Sequence, residues 1–513
     1  MRPRTLLHAV AVLLAVLAGA FFATRPDPAT PLSASSAREA ALADEGVRER
    51  LREDPHDRIR VLALDEERTR VSFLRGPQVV LDVAVDRHGA VTHRQAFRKG
   101  AARAGASSLN RPWVLAVMTL AFLLAAGVRP VRHLHNADVA ALATLTLPIL
   151  LLNQRMLTLA ALSALPGLVW LIARCARVAW REPGRRPSRP LVTAIDDPRR
   201  ARPLLAGAGL LAVVATVGSD GASDVASASV AGATELLHGR LPYGHISTEI
   251  LHGDTYPILT YVVFLPGALI EPVHDMWSDA TGALWVCAAA LVAGAVALHR
   301  TFGAHAALAW LLFPPMVVGA SAGVNDVVVA ALLAIALAGA RRAPVTAAAI
   351  AAAAWVKVLP VALLPMLLRR LDGARRGRAV AAVAAVSAVP VGVLVALGGA
   401  DGVRDMAHAL AFQLERRTLQ TPWAVPALGP AGDALRALAL AGLLLAVLVP
   451  PRLRDLRAIA AAGAALLLCQ QLAAHYWTWS YALWVVPLVA AALLWPERLP
   501  RPAPARALER SAS

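Results

Sequence analysis

Apolar runs approaching twenty residues, parted by short breaks that carry arginine, recur along most of this chain. A run of that length is what a helix needs to cross the hydrocarbon core of a bilayer. The first lie at Pro112–Val128, Val139–Leu152, Met156–Ala173 and Pro203–Gly218. Val139–Leu152 and Met156–Ala173 read as a hairpin around Asn153-Gln154-Arg155. Further runs follow at 258–272, 280–298, 304–319, 326–340, 345–356, 358–368, 379–398, 433–449, 458–474 and 480–495. Several are too short to span alone, and those around Pro314-Pro315 and Lys357 read as half-helices or re-entrant turns. The pattern predicts an all-α polytopic membrane protein of about 12–14 transmembrane or re-entrant helices. Residues 1–24, in which Met1-Arg2-Pro3-Arg4 precedes an apolar stretch, read as an N-terminal membrane anchor. A cleaved signal peptide has a similar pattern.

One long polar segment, residues 25–110, interrupts this rhythm. Its charges nearly balance, with 15 Arg/Lys against 13 Asp/Glu between Arg25 and Arg103. A helix is expected over Ser36–Arg52. Beyond it, apolar residues alternate at Ile59, Val61 and Ala63, at Val71 and Phe73, and at Val79, Leu81, Val83 and Val85. Period two with Gly76 and Gly89 at the breaks predicts a β-meander, hence a small extracytoplasmic α+β domain. A helix followed by a meander ending Val83-Ala84-Val85-Asp86-Arg87-His88-Gly89-Ala90-Val91 resembles a PepSY-like domain; an unrelated α+β insert fits the same pattern.

Composition narrows the class. Of the 513 residues 57% are hydrophobic and 17% charged, where a soluble domain carries about a quarter charged residues. A disordered chain, a disulfide-stapled scaffold and an ordinary cytosolic enzyme are excluded. The net charge of +17 comes almost wholly from arginine, the only lysines being Lys99 and Lys357. The arginines crowd the short breaks, which speaks for orientation in the membrane rather than for nucleic acid. Arg174–Arg202 holds nine arginines, Arg369–Arg378 five and Arg452–Arg457 three. These breaks, the N-terminus and the tail 496–513 are expected in the cytoplasm, and residues 219–256 outside. His299-Arg300 resists simple alternation. The division that results is 1–24 anchor, 25–110 domain, 111–202 additional helices, 203–495 core and 496–513 disordered tail. Cys175, Cys287 and Cys469 lack paired or metal-ligand spacing.

Candidate chemistry gathers after the span at Pro203–Gly218. In Gly218-Ser219-Asp220-Gly221-Ala222-Ser223-Asp224-Val225, Ser219 or Asp220 is placed to cap a helix running to His238. On that helix Asp224 and Glu235 are about three turns apart and share a face. A loop Gly239-Arg240-Leu241-Pro242-Tyr243-Gly244 follows, then His252-Gly253-Asp254-Thr255-Tyr256-Pro257. Sugar transfer from a lipid phosphate needs a base for the acceptor hydroxyl and cations for the leaving phosphate. Asp224 at the outer membrane edge suits the first role. Lys357, an ionisable group in an apolar helix pair, suits the second. So do Arg416 and Arg417 in an external loop over 400–432. Plainer roles exist for each. Asp224 favours a helix N-terminus, Asp220 and Asn325-Asp326 read as caps, and His252 and Asp254 as a polar turn. Lys357 can snorkel, Arg416-Arg417 can be solvated, and Trp477, Trp479 and Tyr481 fit an aromatic belt.

This order of elements resembles the GT-C superfamily of membrane glycosyltransferases, closest to the polyprenol-phosphate-mannose-dependent mannosyltransferase group and its bacterial relatives. The resemblance rests on Asp224, Gly239 to Tyr243, Tyr256-Pro257, Gly323-Val324-Asn325-Asp326, Trp355-Val356-Lys357-Val358-Leu359-Pro360 and His475-Tyr476-Trp477-Thr478-Trp479. It covers roughly 203–495. Ser227 and Ala228 stand where the family often has an aromatic residue, and the helices and domain before Pro203 are additions. The resemblance implies transfer of mannose or a related hexose or pentose from a polyprenyl-phosphate donor to a lipid-linked or cell-wall glycan on the outer face. Asp224 and Asp220 would be catalytic. Glu235, Tyr243, His252, Asp254, Tyr256, Lys357, Arg416 and Arg417 would bind substrate. No cofactor is expected, and the absence of an Asp-x-Asp pattern weakens a metal requirement without settling it. A transporter or lipid flippase is the alternative; acidic residues gathered at one face and the lack of an internal repeat speak against it. A non-catalytic envelope protein is a third reading.

Overall fold

The computed structural model describes residues 32–63, 68–75, 78–96, 108–129, 134–153, 157–180, 195, 197–219, 222–247, 250, 253–275, 278–415, 434, 436–443, 455–474 and 476–494. The anchor 1–24, the tail 496–513 and most of the arginine-rich stretch after Trp180 lie outside them.

The polar segment folds as its alternation predicts. Strands β1 (Arg58–Ala63), β2 (Arg68–Arg75), β3 (Gln78–Asp86) and β4 (Val91–Ala96) form an antiparallel meander in sequence order. The inward set Val71, Phe73, Leu81, Val83 and Val85 packs on Ala37, Ala41 and Val47. The expected single helix is two, Ala34–Ala43 and Glu45–Glu53. Asp44 ends the first in extended conformation and caps the second by accepting from Val47 N, a side-chain preference that competes with continuing a helix.

The remainder is helical, as expected of a membrane protein. Among the described residues six helices are long and apolar enough to cross a membrane: Leu134–Leu152, Leu159–Trp180, Arg199–Val217, Thr281–Phe302, Gly373–Phe412 and Leu456–Ala473. A seventh arises if Ala304–Leu312 and Pro314–Ser321, bent by 56° at Phe313, are one broken span. Shorter apolar helices run Pro112–Ala125, Asp326–Ala338, Ala343–Val356 and Trp479–Leu494. The predicted breaks at Pro314-Pro315 and Lys357 are both present.

Three helices outrun their expected limits. The hairpin helices begin at Leu134 and end at Trp180, which brings Asp138 and Arg174 inside them. There Arg174 donates through Nε at 2.9 Å and a terminal nitrogen at 3.2 Å to the two Asp138 oxygens, and the Trp170 indole donates to the same carboxylate at 2.9 Å. The expected external loop from 400 is instead helix as far as Glu415, after a break at Gly399, whose φ of 58° only glycine adopts easily. Met406, Ala409 and Leu410 recur at helical spacing and pack on the core, which overrides the polar Asp401 and Arg404.

Candidate functional site

The helix carrying Asp224 starts later than expected. It spans Asp224–Leu237, and its cap is Ser223, whose hydroxyl accepts from Ala226 N at 3.2 Å, not Ser219 or Asp220. Ser223 has the extended backbone a cap needs. Asp224 is therefore a first-turn acid. Its carboxylate is exposed and accepts from Val225 N at 2.9 Å. Glu235 lies on the same helix but is buried, and Arg240 holds it through two 2.8 Å contacts. The face is shared, while the two acids differ in access to water.

The head of this helix is fastened to a second motif. Ser223 N donates to Ala322 O at 2.9 Å. Gly323, at φ +69°, lets the chain pass so close that a Cβ there would stand 2.7 Å from the Ala226 methyl. Three residues on, Asp326 opens the helix Asp326–Ala338. Its carboxylate makes no capping bond; it turns instead to a residue far off in sequence, accepting from Trp484 Nε1 at 2.7 Å. Asn325, read as part of a cap, is wholly buried, and neither of its amide atoms finds a partner among the described residues. Such an orphan amide costs about 1–3 kcal/mol.

Lys357 comes to the same place. The helix Ala343–Val356 stops where Lys357 turns extended, and the carbonyl freed at Val356 accepts from Thr260 Oγ1 at 2.8 Å. The Lys357 ammonium then lies 3.6 Å from Asp326 Oδ1. It stands over three rings, at 4.9 Å from Tyr256, 5.1 Å from Tyr481 and 5.9 Å from Trp484. Tyr481 stacks on Trp484 at 4.6 Å. A desolvated cation–ring contact contributes about 2 kcal/mol. Together with the Asp326 carboxylate these rings offset the roughly 2.5–3.5 kcal/mol that inserting a lysine costs. Lys357 is thus enclosed rather than snorkelling, and Tyr481 serves this cage rather than a peripheral belt.

The loop that follows the Asp224 helix braces one wall. Tyr243 donates to Tyr256 O at 3.0 Å, and Tyr261 donates to Gly253 O at 2.7 Å while accepting from Tyr256 N. Asp254 accepts from Gly244 N at 3.2 Å. Burial, and then the charges of Asp254 and Asp405, push the Tyr243 phenol above its usual range, so it remains a donor. Leu241 fits a notch at Gly398 and Gly402, where any Cβ would collide with it.

Of the predicted residues, Tyr243, Asp254, Tyr256 and Lys357 thus form one connected neighbourhood. Glu235 is engaged by Arg240, and Asp224 makes no described contact with Lys357. Asp220, His252, Arg416, Arg417 and His475 lie outside the described residues. Trp484 is the member sequence reasoning missed, its signal a tryptophan inside a run otherwise apolar, and Asp326, read as a cap, is a member as well. Among the described residues no group of three or more His, Cys, Asp or Glu side chains is placed to hold a metal ion. Compared with protein-family models, with curated proteins and with solved structures, the chain matches none.

Proposed function

We propose that the protein is a multi-pass cell-membrane glycosyltransferase. It takes a sugar, mannose or a related hexose or pentose, from a polyprenyl-phosphate donor and passes it to a lipid-linked or cell-wall glycan. The site opens to the outer face, and both chain ends are cytoplasmic. One observation carries the reading: an exposed acid, Asp224, heads a helix fastened at Ser223 to the segment that delivers Asp326, beside which the caged Lys357 lies. A base must meet the acceptor in water, and a cation for the leaving phosphate is worth most where water is excluded. Asp224 takes the acceptor hydroxyl proton, the new bond forms at the anomeric carbon as the bond to phosphate breaks, and the phosphate leaves toward Lys357. Direct displacement inverts the anomeric centre.

The test is transfer from polyprenyl-phosphate-mannose in proteoliposomes. Asp224→Asn should reduce turnover at least a hundredfold and leave the unfolding midpoint unchanged. Full turnover by that variant would remove Asp224 as the base. A transporter is the second reading, favoured by two ion pairs buried between apolar helices. Counterflow of a soluble substrate without donor lipid would select it.

A further inference from the structure

The corner between Leu363–Arg370 and the long helix from Gly373 carries five arginines and one aspartate in ten residues. Orientation in the membrane needs only that such charges lie on one side. The corner is more specific than that. Asp372 is consumed locally: its carboxylate accepts from Arg375 N at 2.9 Å and lies 3.5 Å from the Arg375 guanidinium. Arg376 is consumed too, donating to Leu368 O at 3.1 Å and Leu371 O at 2.8 Å. Those two bonds hold the first turn of the long helix against the last turn of the short one. Arg369, Arg370 and Arg378 are exposed, and none has a described partner.

An apolar strip leads up to these three. Leu363 and Leu367 face inward, while Val358, Val361 and Pro365 are exposed at one-turn intervals on the other side. Val380 adds an exposed apolar side chain on the long helix. Val361 and Arg369 are eight residues apart, about 12 Å along a helix. Unpaired guanidiniums beside an outward apolar strip match a charged headgroup with an acyl chain lying alongside.

We propose that Arg369, Arg370 and Arg378 form a binding site for an anionic glycerophospholipid, its phosphate held by the guanidiniums and its acyl chain along Val358, Val361 and Pro365. The headgroup end of the site, at Arg369, Arg370 and Arg378, lies apart from the Lys357 cage, and the proposal does not rest on transferase activity.

Native mass spectrometry of the full-length protein, released from vesicles of equal phosphatidylglycerol and phosphatidylcholine, tests this. The wild type should retain phosphatidylglycerol preferentially. The triple variant Arg369→Gln/Arg370→Gln/Arg378→Gln should lose that retention about tenfold, with phosphatidylcholine unchanged. Arg38→Gln/Arg48→Gln/Arg87→Gln removes equal charge from the sheet domain and should bind as the wild type does. Undiminished phosphatidylglycerol on the first variant, or an equal loss on the second, would overturn the proposal. Val361→Asn, which keeps every arginine, should weaken retention about threefold; no change would remove the acyl strip from the site.

Discussion

Asp138 and Asp326 are buried among the helices, each beside a cation, and they are held in different ways. Asp138 meets the planar fork of Arg174 with both oxygens and takes a third bond from Trp170. Asp326 takes a short bond from Trp484 and stands 3.6 Å from an ammonium whose hold is shared with three rings. The first arrangement is saturated and ties the hairpin helices together. The second spreads the cation's stabilisation over several weak contacts, so one can be exchanged without losing the rest. Arginine suits fastening and lysine suits handling a charge that comes and goes.

The largest effect should come from breaking the saturated pair. Arg174→Leu strands a buried carboxylate and should cost about 3–5 kcal/mol in detergent unfolding, with Asp138→Leu/Arg174→Leu recovering most of it. If Asp326→Leu/Lys357→Leu recovers in the same way and keeps full transfer activity, the two pairs are alike and the contrast fails. Exchanging the cations sharpens it further. Arg174→Lys loses the two-pronged geometry and should cost about 1–2 kcal/mol. Lys357→Arg should change stability by less than about 1 kcal/mol yet lower transfer tenfold or more, because a delocalised planar cation does not present the compact charge of an ammonium to a leaving phosphate. The smallest effect concerns the cage wall. Tyr243→Phe removes one buried hydrogen bond and should cost about 1 kcal/mol. The Tyr243 phenol is raised by burial, so its contribution is complete below the ordinary phenol value of about 10 and is lost as pH climbs beyond it. The Phe variant should therefore unfold with a flatter pH dependence above about pH 10.

Much of the framework was legible because it is local. The meander followed from alternation at Val71, Phe73, Leu81, Val83 and Val85, and the breaks at Pro314 and Lys357 from proline and a lone charge. The site was legible only in pieces. Lys357 stood out as an ionisable residue in an apolar run, but Asp326 looked like a cap, since Asn-Asp before an apolar run is what a cap looks like. Its real partner is Trp484, which no local pattern can announce. Asp138 and Arg174 were hidden for a related reason: each falls at the edge of an apolar run, and only extension of both helices brings them inside. The helix after Gly399 was obscured by Asp401 and Arg404, though Met406, Ala409 and Leu410 held its period.

The notch at Gly398 and Gly402 has a consequence for how the chain is made. Leu241 emerges from the ribosome well over a hundred residues before the glycines that receive it. Until they arrive, the stretch from Gly239 to Pro257 has no counterpart to close upon. The neighbourhood of Tyr256 is therefore completed late in synthesis, and a chain truncated before Gly398 would be left with that wall unbacked.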